Sequence, residues 1–137
     1  MGHPRRIHYA IAFALSVFVS APATAQTERQ ITEPEKAAVR LAIEQRLMDP
    51  MSAQYRWLPT VAADGAYCGY VNAKNRYGGY VGFASFLAWI RKPNEDGSPR
   101  VVLNMLATKP GNWSESDVRH WCRKSGINMD QIVPVSP

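Results

Sequence analysis

Little in this chain of 137 residues could carry enzymatic chemistry. It has 2 cysteines and 3 histidines. His3 and His8 fall in an N-terminal leader, which leaves His120 alone in the remainder. Carboxylates are not clustered, so spacing assembles neither a zinc nor a calcium site. No serine stands in a nucleophile-elbow pattern, and Gly78-Gly79 by itself is no phosphate loop. Internal repeats, low-complexity tracts and interdomain linkers are missing as well. Beyond the leader the longest uncharged apolar run, 81–90, is about half of the roughly 20 residues a membrane-spanning helix needs. No cofactor is expected.

Hydrophobic residues make up 46% and charged residues 20%, a balance that excludes disorder because enough surface can be buried to offset the ordering entropy. The length fits one domain and excludes an enzyme with separate cofactor and substrate lobes. Residues 1–25 read as a secretory signal peptide. Arg5 and Arg6 form its basic start, 9–20 (YAIAFALSVFVS) its apolar run, and Ala23-Thr24-Ala25 the small-x-small cleavage site after the helix-breaking Pro22. The run is too short for a spanning anchor, the surroundings of the Arg pair lack the rest of a twin-arginine motif, and no cysteine near the cut supports a lipid anchor. Residues 26–137 then form a single exported domain, periplasmic or secreted. Removing Arg5 and Arg6 lowers the 16 basic residues to 14 against 11 acidic ones, a net charge of +3.

The order of elements reads α-β-β-β-β-α. Thr32 and Glu35 make a capping box for a helix over 33–48, with Val39, Ala42, Ile43 and Leu47 on one face and Asp49 ending it before Pro50. Strands follow at 55–58, an edge strand stopped by Pro59, then at 67–73, 80–91 and 101–107. Turns fill 63–65 and 74–79, and a polar loop fills 92–99. Strand 80–91 is apolar on both faces, which places it centrally. Ser114 and Asp117 cap a last helix with Val118, Trp121 and Cys122 on one face, and Gly126 suits the left-handed position after it. The expected fold is α+β: a small antiparallel sheet of about four strands flanked by an N-terminal and a C-terminal helix.

Three readings compete for Cys68 and Cys122. An even cysteine count in an exported protein favours a disulfide, which would tie the second strand to the last helix. A catalytic thiol served by His120 is the second, although residues two apart on a helix point about 200° apart. Two inert buried thiols are the third. A Ser-His-Asp arrangement would require His120 with Asp117, but Asp117 already caps the helix.

Density of functional groups is greatest in 68–83, where two amides, two cations and three tyrosines surround one turn. Asn75 and the glycines suit a hairpin turn. Strand alternation sets Asn72 on the face of Cys68, where it would hydrogen-bond the turn backbone. Arg76-Tyr77-Gly78-Gly79-Tyr80-Val81-Gly82-Phe83 faintly echoes an RNA-binding strand, yet an exported domain of charge +3 argues against nucleic acid. Asp49-Pro50-Met51-Ser52-Ala53, followed by Cys68-Gly69, Val71-Asn72-Ala73-Lys74-Asn75, Gly78-Gly79-Tyr80, Gly82 and Phe86, resembles a family of short exported proteobacterial proteins of uncharacterised function, often lipoproteins. The likeness covers roughly 35–90. It implies export and a single domain and supplies no activity; the chain departs from the lipoprotein form in lacking an anchor cysteine.

The resulting expectation is a non-enzymatic domain that binds an envelope glycan, an anionic headgroup or an envelope protein through Asn72, Lys74, Asn75, Arg76, Tyr77 and Tyr80. A small envelope-acting hydrolase and a purely structural accessory subunit are the alternatives. The cleavage site carries the first prediction: intact mass on protein recovered from the envelope should place the mature N-terminus at Gln26, and a soluble species starting at Met1 would contradict it.

Overall fold

The computed structural model describes residues 27–108, 112–131 and 133–136, so the expected signal peptide at 1–25 lies outside the described residues. The first element is a short strand β1 (Arg29–Gln30), followed by helix α1 (Glu33–Glu44). Thr32 starts the helix as foreseen: its hydroxyl accepts the Glu35 N–H, and the Glu35 carboxylate accepts the Thr32 N–H at 2.9 Å. Arg29 grips the same carboxylate at 2.6 and 2.8 Å. Val39 and Ile43 are fully buried on the inner face. The helix ends at Glu44 and not at 48. Arg46 and Leu47 donate instead to carbonyls three residues back, Ile43 and Glu44, which tightens the chain and lets Leu47 pack on the core. Asp49 does not end α1; it precedes a 3-10 turn, Pro50–Ser52.

The main sheet is antiparallel with order β2-β4-β5-β6, formed by β2 (Gln54–Trp57), β4 (Ala66–Asn72), β5 (Ala84–Arg91) and β6 (Arg100–Leu106). Strand β3 (Thr60–Val61) pairs with β1 in a small second sheet, which sequence periodicity did not indicate. The edge position of β2 and the central position of β5 agree with expectation. The fifth strand begins at Ala84, not at 80, because Gly82 takes φ +100° and its N–H turns to the Asn72 side chain. Helix α2 (Glu115–Lys124) closes the order and completes an α+β fold.

Strand alternation divides the interior in two. Tyr67, Val71, Phe86, Ala88 and Ile90 face Val39 and Ile43 of α1. Cys68, Leu87 and Met105 face Val118 and Cys122 of α2, with Ile127 and Met129 beside them. The helices therefore cover opposite faces of the sheet. A bulge opposite Leu87 and Ala88 inserts Asn104 as an extra residue in β6, so Leu103 and Met105 serve different cores. Trp121 departs from expectation: it is 43% exposed and lies off the buried face, with its ring under the Lys124 ammonium at 4.6 Å.

Cys68 and Cys122 form a disulfide, with Cα atoms 6.2 Å apart, and among the described residues no cysteine is free. Gly126 adopts φ +84° and Ile127 donates to the Cys122 carbonyl at 3.0 Å, which closes α2 over the bond. A cross-link spanning 54 residues of sequence stabilises by about 4 kcal/mol in the chain-entropy account. Cys68→Ser and Cys122→Ser should each lower unfolding free energy by about that amount, and the double variant should add little to either. Urea unfolding measures this, and non-reducing peptide mapping should recover the two cysteines in one linked peptide.

Candidate functional site

The connection between β4 and β5 is built by side chains that fold inward and decorated by side chains that do not. Asn75 organises the tip: its Oδ1 accepts the Tyr77 N–H at 2.9 Å and the Gly79 N–H at 3.2 Å. Its backbone exchanges bonds with Gly78 and Gly79, and Gly78 sits at φ +79°. Asn72, only 8% exposed, uses Oδ1 to accept the Gly82 N–H at 3.1 Å and its amide nitrogen to reach Gln54 at 3.5 Å. Lys74 and Tyr80 close the hairpin as an antiparallel bridge.

Ser52, in the 3-10 turn before β2, clamps this loop from outside. Its hydroxyl accepts the Lys74 N–H at 2.9 Å and donates to the Asp49 carbonyl at 2.8 Å, while its own carbonyl accepts the Tyr80 hydroxyl at 3.0 Å. The Asp49–Ala53 and Cys68–Phe86 sequence blocks thus meet in space at one serine. Sequence reasoning noticed both blocks and missed their junction; a small hydroxyl residue in an otherwise apolar turn was the available signal.

Of the six expected residues, Arg76, Tyr77 and Tyr80 are exposed and Lys74 is half-buried. Tyr77 is 80% exposed with the Arg76 guanidinium over its ring at 4.9 Å, and the Lys74 ammonium lies 5.6 Å from the Tyr80 ring. Val81 and Met51 are also exposed, and Arg56 lies over Phe83 at 4.1 Å. The structure therefore brings all six expected residues to one end of the sheet but gives Asn72 and Asn75 to the backbone of the turn. Between Pro50 and Arg91 the sole acidic residue is Asp64, which accepts the Ala66 N–H at the opposite end of β4.

Elsewhere, the disulfide takes both sulfurs that thiol catalysis would need, and His120 is exposed with its ring against Trp121 at 5.9 Å. No group of three or more His, Cys, Asp or Glu residues among the described ones could hold a metal. Tyr70 is packed between β4 and α2, where it donates to the Met129 carbonyl and accepts from Arg119 at 3.0 Å. Burial pushes its hydroxyl pKa up despite the neighbouring Arg119. Arg119 also pairs with Asp130, which makes this cluster a strut for the C-terminal segment. A cavity of about 330 Å³ lies between the end of α1 and β6, lined by Arg46, Asn104, Leu106, Thr108, Asn112 and Trp113.

The division between inward and outward side chains is measurable. Asn72→Ala removes the acceptor of the Gly82 N–H and the reach to Gln54 and should cost about 0.5–1.5 kcal/mol of stability, whereas Lys74→Ala and Arg76→Ala should stay within about 0.5 kcal/mol of wild type. Urea midpoints would show this, and equal losses at all three positions would remove the distinction. Comparison of the chain with protein-family models, with curated proteins and with solved structures gives no match.

Proposed function

We propose that the protein is an exported, non-enzymatic binding domain, periplasmic or secreted, that engages an anionic component of the cell envelope through the 72–80 turn. Asn72 and Asn75 fix the shape of the turn; Lys74, Arg76, Tyr77 and Tyr80 make the contact. The observation that carries this reading is the Arg76–Tyr77 pair standing at the tip of a hairpin braced by Ser52. Arginine donates two parallel hydrogen bonds to a carboxylate or phosphate, and lysine adds a point charge. Presentation on a braced turn lowers the ordering cost of binding.

Export is supported by the leader pattern and by a disulfide, which persists in oxidising compartments. No helix among the described residues is long and apolar enough to cross a membrane. The resemblance to exported proteobacterial proteins through the Asp49–Ala53 and Cys68–Phe86 blocks points the same way.

A Lys74→Ala/Arg76→Ala double variant should keep the wild-type melting temperature and lose retention on isolated cell-wall or membrane fractions. Wild-type retention should fall between low and moderate salt. Equal retention of both proteins at both salts would leave the turn as a folding element only.

A further inference from the structure

We propose that the partner is the surface of an anionic lipid bilayer, on which the turn and the adjoining 3-10 turn seat together; this rests on the binding role proposed for the same turn. The side chains left facing out are the wrong set for a sugar. Protein sites for glycans use amide and carboxylate groups to bond several hydroxyls. Here Asn72 and Asn75 are engaged with the turn's own N–H groups, and no carboxylate occurs from 65 to 91.

What remains outward is apolar and cationic. Met51 is 94%, Tyr77 80% and Val81 73% exposed. Single exposed apolar residues are ordinary. These three lie on two loops that Ser52 bonds together, and the hairpin that carries Tyr77 and Val81 also carries Lys74 and Arg76, the latter over the Tyr77 ring. Glu115 reaches this end of the sheet from α2, but its carboxylate is held by the Ser85 N–H at 2.9 Å. Asp49 opens the 3-10 turn and adds one carboxylate, set against Lys74, Arg76 and the Arg56 that lies over Phe83, so the local balance stays cationic and complementary to an anionic plane. Tyrosine suits the headgroup level, and lysine and arginine extend apolar stems while their charges stay with the phosphates. A few shallow apolar side chains anchor weakly by themselves, as does a pair of cations; together they form the two-signal arrangement that peripheral attachment requires.

The test uses the disulfide-bonded exported protein and sedimentation with two kinds of vesicle, phosphatidylcholine alone and an equimolar mixture with phosphatidylglycerol. Wild type should sediment with the mixed vesicles and not with the neutral ones. Lys74→Ala/Arg76→Ala should weaken that partition about 30-fold, the combined effect of two basic side chains near an anionic leaflet. Met51→Ser/Val81→Ser, folded to the same melting temperature, should weaken it about tenfold while keeping its salt dependence. Equal binding to both vesicles, or wild-type binding by both variants, would overturn the membrane assignment. If wild type ignores mixed vesicles but its retention on envelope fractions still depends on Lys74 and Arg76, the turn remains a binding surface and its partner is an acidic glycan or protein. If that retention is also indifferent to the two cations, both proposals fall.

Discussion

The attachment of α2 to the sheet depends on one covalent bond. Along the whole helix only Val118 and Cys122 are buried, while α1 brings Val39 and Ile43 and is backed by Leu47. Val118 contributes about 1.5–3 kcal/mol by burial, and Ile127 and Met129, just past the helix, complete the same core. The Cys68–Cys122 bond adds to that packing a fixed point of attachment. It fastens the helix to a strand interior, where Cys68 is buried opposite Leu87. Several contacts follow from that placement: Glu115 on the Ser85 N–H, Arg119 on Tyr70 and Asp130, and Met129 over the second core. The bond thus organises a whole face of the sheet, and an oxidising compartment is the setting in which such a design works.

At the far end of the same strands, Ser52 has a similar role with weaker means. Two hydrogen bonds to the hairpin and one to Asp49 fix the spacing between the 3-10 turn and the β4–β5 loop. Pro50 assists by holding the preceding residue out of helical geometry, so the serine reaches the loop from a tight bend. The loop itself needs no outside group to close, because Asn75 and Gly78 close it locally. Ser52 instead sets where the closed loop points.

Much of this architecture was legible from residue pattern, and the failures share a cause. Both capping boxes, the left-handed Gly126, the edge and central strands and the disulfide follow from local chemistry or from two-residue periodicity. The misplaced boundaries arise where tertiary bonds override local preference. Leu47 carries the helical pattern, yet the helix stops at Glu44 because the tighter turn serves the core better. Residues 80–83 look like strand, yet the Asn72 side chain captures the Gly82 N–H and strand pairing starts at Ala84. The Asn104 bulge is invisible to alternation because it changes which residues face in without changing which are apolar. Trp121 misleads for a related reason: its hydrophobicity suits a buried face, but the space beside Cys122 is filled by Ile127 and Met129.

The candidate site was found by density of functional groups, and the structure divides that density into two jobs. A hairpin of this kind is specified by Asn75, Gly78 and the Asn72–Gly82 bond, none of which involves the outer side chains. Arg76 over Tyr77 contributes at most about 1 kcal/mol as an exposed cation–π pair, a small gain for ordering one of the longest side chains. An exposed tyrosine and valine on a turn also carry a solubility cost that serine or asparagine would avoid. Folding therefore accounts for the inward residues and for Tyr80, whose hydroxyl bonds the Ser52 carbonyl, and gives no reason for Arg76, Tyr77 and Val81. On the proposed membrane reading, these side chains that closure does not need are explained by what they touch, since cations set among exposed apolar groups suit a boundary that is charged outside and apolar beneath.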